Sequence, residues 1–167
     1  MYSRKTHGPA GTHELIIDRA APLHGAVTVE SRFAMGGHLI VFDFGGPIRD
    51  PASAVVVDGA AQNLPKYVSY SGHEVYVLLP NVPDRSRVQV TLTGVNASAG
   101  GVAAIGFLVG DVNDSGKVNS GDISAMKARL TRPVNGGNFE FDVNLSGVIT
   151  QADLAAVKAR AGSALLP

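Results

Sequence analysis

The sequence predicts a β-sandwich of immunoglobulin-like form followed by a small α-helical domain. Three observations predict this order. Alternating or β-branched apolar segments recur before residue 109, turn-forming residues separate them, and two stretches with helical periodicity follow. The predicted organisation is an N-terminal extension over residues 1–20, an immunoglobulin-like β-sandwich over residues 21–109 and the helical domain over residues 110–167.

The composition limits the class of protein. The chain has 167 residues with 14 acidic and 14 basic side chains, so no net charge directs it to nucleic acid. Cysteine is absent, which excludes disulfides, thiolate metal sites and a cysteine nucleophile. No stretch is long and apolar enough to span a bilayer, and no apolar segment follows the basic start. We therefore expect neither a membrane span nor a signal peptide in this chain, which we interpret as a piece of a longer protein.

The first 20 residues have no clear periodicity. Residues 7–13 contain two glycines and a proline, which is typical of a loop, and a short apolar run follows at residues 15–17. The five histidines are scattered without a ligand spacing, so loop or surface positions are expected for them. We predict an extension that precedes the sandwich.

Six or seven short strands are predicted in the sandwich. Turn-forming pairs such as Asp58-Gly59 and Ser71-Gly72 separate them. Strands of this length and spacing favour two packed sheets, although the Cys-Trp-Cys core of antibody domains is missing. The likeness therefore concerns architecture and not function. The predicted strands cover residues 26–33, 38–44, 54–57, 74–79, 87–93 and 102–109.

Two short helices are predicted after the sandwich. Residues 123–130 and 154–160 carry apolar side chains at helical spacing. Pro133 and two glycines lie between them, and a proline inside a helix removes a hydrogen bond and clashes with the preceding turn. Because the link to the sandwich is short, we expect the two parts to pack as a unit, with Phe107 and Leu108 near the junction. The expected helical core comprises Met126, Leu130, Phe139, Phe141, Leu154 and Val157.

The loops that precede the two helices are copies of one another. Residues 111–122 read DVNDSGKVNSGD, and residues 142–153 read DVNLSGVITQAD. The match continues into the helices, where the run Lys-Ala-Arg recurs. A repeat at this spacing indicates two equivalent structural units, each made of a loop and an exiting helix.

The loop pattern is that of a calcium loop of the EF-hand type. Such a loop presents oxygen at its first, third, fifth, seventh, ninth and twelfth positions, and its sixth position is a glycine that makes a sharp turn. Gly116 and Gly147 occupy the sixth position, and Val118 and Ile149, at the eighth, are expected to point inward. Oxygen ligands alone point away from zinc. The predicted ligands of two Ca²⁺ ions are Asp111, Asn113, Ser115, Lys117 through its carbonyl, Asn119 and Asp122, and then Asp142, Asn144, Ser146, Val148 through its carbonyl, Thr150 and Asp153.

The predicted sites are of moderate strength. Each has two carboxylates, a serine at the fifth position and an aspartate in place of glutamate at the twelfth. Fewer charged ligands mean weaker binding, so we expect affinities suited to extracellular calcium, roughly micromolar to submillimolar. No helix is predicted to enter either loop, in contrast to an EF-hand.

This pair of loops with exiting helices resembles a type I dockerin, the module that docks on cohesin domains. The resemblance covers about residues 110–160. It implies a calcium-binding, non-catalytic protein-interaction module of a secreted or cell-surface bacterial protein, whose partner is cohesin-like or another part of the parent protein. By the resemblance, the tenth and eleventh loop positions and a basic residue of each helix contact the partner, and these are Ser120, Gly121, Lys127, Gln151, Ala152 and Lys158.

Two other functions stay open at this point. Calcium could simply fold a module whose core is too small to fold alone, which gives a structural cap or stalk without a cohesin partner. The sandwich could instead bind carbohydrate, with Tyr67, Tyr70 and Tyr76 as a stacking platform. The basic residues of the helices are alternatively a solvated face. No constellation of acid, base and nucleophile is visible, so an enzyme is disfavoured.

Overall fold

The part of the chain that the structure describes contains nine strands and two α-helices. The structure is a computed structural model that describes residues 1–33, 36–50 and 53–167. The strands are β1 (Tyr2–Thr6), β2 (Thr12–Ile16), β3 (Thr28–Glu30), β4 (His38–Asp43), β5 (Ser53–Asp58), β6 (Tyr67–Ser71), β7 (Glu74–Leu79), β8 (Ser86–Val95) and β9 (Ala99–Phe107), and the helices are α1 (Ser120–Lys127) and α2 (Gln151–Ala159).

The strands form two sheets that share one core. The first sheet has the order β2-β1-β4-β7-β6 and is antiparallel throughout. The second has the order β3-β9-β8-β5, in which β3 runs parallel to β9. Fully buried apolar side chains from both sheets, among them Ile40, Val77, Val90 and Ile105, belong to one cluster. The predicted β-rich region is therefore present, and its immunoglobulin-like form stays a prediction.

The N-terminal residues differ from the predicted extension. Strand β1 pairs with both β2 and β4, so the first 16 residues belong to the five-stranded sheet. The inward-facing side chains of β1 are Ser3 and Lys5, which are polar yet 0% and 6% exposed. Lys5 Nζ donates to the carbonyl of Phe33 at 2.7 Å, and the Ser3 hydroxyl donates to the Glu30 carboxylate. Because these buried positions are polar, hydropathy carries no strand signal here.

Both predicted helices are present, but each begins three residues before its predicted start, for a local reason. Asn119 and Thr150 are the N-cap residues, and each is followed three positions later by an aspartate whose side chain accepts the N-cap backbone N–H. This reciprocal capping satisfies backbone donors that the first turn leaves free. The connector that contains Pro133 separates the helices, as predicted.

The helical part has its own core. Met126, Phe141, Leu154 and Val157 are buried in one cluster together with Leu108, and Leu130 packs against it half-buried. Phe107 belongs to the core between the sheets instead, so the two clusters adjoin at the predicted junction.

Phe139 is buried as expected, but its neighbours are not helical residues. Its ring stacks on that of His13 with centroids 5.3 Å apart, and the guanidinium of Arg32 lies 5.0 Å from its centroid. This side chain therefore belongs to the contact between the helical part and the strands.

Strand β3 and the residues after it hold the two parts together. Gly110 N donates to Ser31 O at 2.9 Å, Phe33 N donates to Val143 O at 2.8 Å, and Val29 N donates to Oδ1 of Asp114 at 2.6 Å. On the other side, the segment after α2 returns to β8. Leu166 N donates to Arg85 O at 2.8 Å, and Arg87 Nε donates to Leu166 O at 3.0 Å.

Candidate metal centre

Each loop folds around the aspartate at its first position. Oδ1 of Asp111 accepts the backbone N–H of Ser115 at 3.0 Å, and Oδ2 accepts that of Gly116 at 2.6 Å. The second loop repeats these bonds, from Ser146 and Gly147 to Asp142, at 2.9 and 2.7 Å. The two copies of the sequence therefore have the same backbone course.

The sharp turn at the sixth position is present in both copies. Gly116 has a φ of +74° and Gly147 a φ of +89°, in the left-handed region that glycine adopts without steric cost. The fourth position, Asp114 or Leu145, also has a positive φ in both loops. The predicted requirement for glycine is confirmed.

Three of the predicted ligand oxygens come together in each loop. Oδ1 of Asp111 lies 3.3 Å from Oγ of Ser115, and that hydroxyl lies 3.0 Å from the carbonyl oxygen of Lys117. In the second loop the distances are 3.3 and 3.1 Å, between Asp142, Ser146 and the carbonyl of Val148. The first, fifth and seventh positions therefore direct their oxygens to one place.

The twelfth position closes each loop and starts each helix. Asp122 accepts the backbone N–H of Asn113 at 3.3 Å through Oδ1 and that of Asn119 at 2.8 Å through Oδ2. Asp153 accepts the corresponding groups of Asn144 and Thr150 at 3.1 and 2.8 Å. One carboxylate thus ties the third position, the ninth position and the first helical turn together.

The aspartates at the first and twelfth positions of both loops are buried, with at most 1% of their surface exposed. Among the described residues, none of them forms an ion pair with a lysine or arginine, although a buried carboxylate is costly unless it is paired or binds a metal. Burial raises the pKa of Asp111, against the lowering effect of its hydrogen bonds from Ser115 and Gly116. Burial also acts to raise the pKa of Asp142, but the hydrogen bond from His7 and two backbone N–H groups make the net shift a lowering.

The donor set fits calcium. No group of three or more His, Cys, Asp or Glu side chains comes together as a metal site in the described residues. Each loop instead combines two carboxylates with amide, hydroxyl and carbonyl oxygens, and calcium takes such oxygens readily. Zinc sites use nitrogen and sulfur ligands, which are not present in either loop.

The eighth position anchors each loop to the far end of the helical part. Val118 and Ile149 are 1% and 0% exposed, so both point inward as predicted. Gly162, after α2, donates to the Val118 carbonyl at 2.8 Å, and Thr131, after α1, donates to that of Ile149 at 2.9 Å. Each loop is therefore tied to the segment that follows the other loop's helix.

The helix residues implied as partner contacts face solvent. The basic residues of the repeat divide into two kinds. The guanidinium of Arg129 lies 4.0 Å from the ring centroid of Phe141 and that of Arg160 lies 4.7 Å from Phe33, so both arginines pack on the protein itself. Lys127 and Lys158 are exposed. The exposed set comprises Ser120, Gly121, Lys127, Gln151, Ala152 and Lys158.

A residue that sequence reasoning missed contacts the second loop. Nδ1 of His7 lies 2.8 Å from Oδ2 of Asp142, and neither side chain is exposed. His38 is also buried, at 3% exposure. The surface interpretation of the histidines is therefore wrong for these two. No local signal marks His7, because its partner lies 135 positions further along the chain.

The three tyrosines of the carbohydrate hypothesis do not share one face. Tyr76 of β7 pairs with Ser69, and Tyr67 pairs with Leu78 two positions away, which places both tyrosines on the same face. Tyr70 pairs with Val75, whose side chain is fully buried between the sheets. Tyr70 thus lies on the opposite face of the sheet, and a platform of all three is wrong.

Comparison with known protein families matches residues 109–160 to the dockerin type I domain. No curated protein and no solved structure matches the chain. Type I dockerin domains are non-catalytic modules of extracellular proteins that bind calcium and dock onto a protein partner, cohesin. In the described part of the chain, neither helix is long and apolar enough to cross a membrane.

Proposed function

We propose that the type I dockerin domain at residues 109–160 binds two calcium ions, one in each loop, and docks this chain onto a cohesin-like protein. The chain then acts as a non-catalytic interaction module of a secreted or cell-surface bacterial protein. The observation that carries the proposal is the convergence of oxygens in each loop, where a carboxylate, a hydroxyl and a carbonyl lie 3.0–3.3 Å apart in sequence order.

Six residues of each loop would hold the ion. The first, third, fifth and twelfth positions offer side-chain oxygens and the seventh offers its carbonyl. The ninth residue, Asn119 or Thr150, uses its side-chain oxygen to cap its helix, so it acts on the ion through water. Bound calcium would supply positive charge to two buried carboxylates in each loop and so stabilise the helix whose first turn contains the second of them.

The docking surface is the exposed side of α1 and α2. Small residues at the start of each helix, such as Gly121 and Ala152, let a partner approach the helix backbone closely. Lys127 and Lys158 supply one positive charge per helix for acidic groups of the partner. The opposite side of this part packs on the strands, so the exposed side is free for the partner.

Calorimetry of the metal-stripped chain titrated with calcium, followed by circular dichroism, tests the metal sites. Two binding events and a gain of helix are expected. Asp122→Asn and Asp153→Asn each keep the side-chain shape and one oxygen but remove a charge, so each should abolish one event. Asp114→Asn is the matched control, because Asp114 is the fourth residue of the first loop and is not a proposed ligand. Absence of heat in the unaltered chain would overturn the proposal.

Capture by purified type I cohesin domains tests docking. Binding is expected with calcium and not with a chelator, and the double variant Lys127→Glu/Lys158→Glu should bind at least tenfold more weakly while keeping its calcium heat. Equal capture of the variant would show that the proposed surface is wrong.

A second candidate is a calcium-stabilised cap or stalk without a cohesin partner. It is favoured by the C-terminal segment, which forms hydrogen bonds with Arg85, just before β8, and with Arg87 of β8, and so fastens the helical part to the strands. Failure to bind any cohesin domain in either condition, with both calcium events intact, would favour this candidate.

A further inference from the structure

The two loops differ in the groups that donate hydrogen bonds to the aspartate at their first position. In the described residues, the Asp111 carboxylate accepts hydrogen bonds only from Ser115 and Gly116 of its own loop. Asp142 makes the same bonds and accepts one more, from His7 at the end of β1. The two loops, although copies in sequence, therefore have unequal surroundings.

The two oxygens of Asp142 face different groups. Oδ1 lies 3.3 Å from the hydroxyl of Ser146, on the side where the proposed ligands converge. Oδ2 accepts from Gly147 N at 2.7 Å and contacts His7 Nδ1 at 2.8 Å. One oxygen thus faces the proposed ion site, while the other holds the orientation of the carboxylate through its hydrogen bonds.

The hydrogen-bond partners of His7 determine which nitrogen carries its proton. Arg32 Nη1 lies 3.0 Å from His7 Nε2, and an arginine can only donate. Nε2 is therefore the acceptor, and Nδ1 carries the hydrogen that is donated to Asp142. Arg32 is itself held by two hydrogen bonds of 2.7 Å to Glu30, and all of these side chains are shielded from solvent.

The backbone around His7 lies directly against the second loop. A Cβ atom added at Gly8 would lie 2.6 Å from the Ser146 carbonyl oxygen, and one added at Gly147 would lie 2.7 Å from that of His7. At Gly116, the equivalent position of the first loop, the nearest atom to such a Cβ is 3.9 Å away. Only the second loop is in close contact with the N-terminal turn.

We propose that His7 is a positioning residue for the second calcium site, and that the strand-rich part of the chain raises the calcium affinity of that site alone. The proposal rests on the calcium binding put forward above. Outer-shell partners hold a ligand in its productive orientation, and their loss weakens metal binding by roughly 10- to 100-fold. Hydrogen bonds link the side chains of Glu30, Arg32, His7 and Asp142 in that order. Through them, the β-rich part forms an outer shell around the second calcium site and not around the first.

Calorimetric titration with calcium in two single-site backgrounds tests this. In Asp122→Asn, where only the second loop binds, His7→Leu should weaken calcium binding roughly 10- to 100-fold. In Asp153→Asn, where only the first loop binds, the same change should leave the affinity within about twofold, which also shows that the domain is folded. His7→Asn keeps a donor in the position of Nδ1 and should restore most of the affinity, and His24→Leu, at an exposed histidine, is the control.

The nitrogen chemical shifts of the His7 ring give an independent readout. The Nδ1–H tautomer is expected in the unaltered chain, and the opposite tautomer would overturn the proposal. Equal affinity of the second loop with and without His7→Leu would overturn it while leaving the calcium sites standing. Loss of binding at both loops would overturn the selective role. If neither background binds calcium, the proposed function fails as well.

Discussion

Arg32 forms a bidentate ion pair with Glu30, and both side chains are fully buried. Nε and Nη2 of the guanidinium each donate to a different carboxylate oxygen at 2.7 Å, and the same carboxylate accepts the Ser3 hydroxyl. The pair lies where β3 ends and the chain turns toward the helical part. The Arg32 guanidinium also contacts the Ser3 carbonyl of β1, Nε2 of His7 and the ring of Phe139.

Arg32→Met should lower the free energy of unfolding by about 3–5 kcal/mol, because it leaves the buried Glu30 carboxylate without its ion-pair partner. Urea unfolding of the calcium-loaded chain measures this. Arg19→Met, at an exposed arginine, should change stability by less than about 0.5 kcal/mol. The double variant Glu30→Gln/Arg32→Met should recover part of the loss, and a loss below about 1 kcal/mol in the single variant would contradict the role of the pair.

Acid should destabilise the chain through His38. Burial, with the nearby charge of Lys5, lowers the pKa of His38 from 6.5 to about 3. Between these values the unfolded chain binds more protons than the folded one, so the free energy of unfolding falls as the pH drops below 6.5, by about 2 kcal/mol at pH 5. Thermal unfolding of metal-stripped protein from pH 7 to pH 4 should show a shallower decline for His38→Leu. Parallel curves for the two proteins would contradict this account.

Glu30 extends the acid effect to lower pH. Burial alone raises the pKa of Glu30, but the charge and hydrogen bonds of Arg32 outweigh it and lower the pKa from 4.5 to about 2. A lowered carboxyl pKa stabilises the folded state above pH 4.5, and that contribution is lost as the pH falls toward 2. Between pH 4.5 and pH 2, the free energy of unfolding of Glu30→Gln should therefore fall less with pH than that of the unaltered chain.

The glycines at the sixth position provide a matched pair of variants. Gly116→Ala places a Cβ in ordinary van der Waals contact, 3.9 Å from the Leu165 side chain, so it should cost only the positive φ, about 1–2 kcal/mol. Gly147→Ala meets the same backbone cost and must also displace the N-terminal turn, whose His7 carbonyl lies 2.7 Å from the added atom. Thermal unfolding should rank Gly147→Ala as clearly the less stable. The reverse order would be inconsistent with the close contact between the turn and the second loop.

Lys158 of α2 and Arg160, the residue directly after that helix, should differ in their contribution to stability. Arg160 covers Phe33 and lies 3.5 Å from the Asp84 carboxylate, so Arg160→Ala should cost roughly 1 kcal/mol through lost packing and cation–π attraction. Lys158→Ala removes an exposed side chain and should stay within about 0.5 kcal/mol. Thermal unfolding of the calcium-loaded chain compares the two. Equal losses of stability in the two variants would mean that the contacts of Arg160 with Phe33 and Asp84 do not stabilise the fold.

Features that depend on neighbouring residues could be predicted from the sequence. The spacing of apolar residues predicts both helices. Their starts at Ser120 and Gln151, three residues before the predicted ones, come from capping by Asn119 and Thr150, which is also a local effect. The match to the dockerin type I domain confirms the recognition of the repeat. The individual calcium ligands, the docking residues and the domain bounds stay predictions.

Features that depend on distant residues could not be predicted in the same way. Strand β1 buries Ser3 and Lys5, which read as polar loop residues until their partners near β3 are known. Strand β6 has every residue exposed, so it lacks the apolar alternation that marks a strand.

The sequence by itself determined the two loop-helix units, because the ligand spacing and the sixth-position glycine lie within twelve consecutive residues. Only the tertiary structure decided that the two units differ. His7 reaches Asp142 across 135 positions, and Arg32 fixes the proton of His7 from a third segment. Such contacts leave no periodic pattern, because each depends on where the folded sheets place residues from separate parts of the chain.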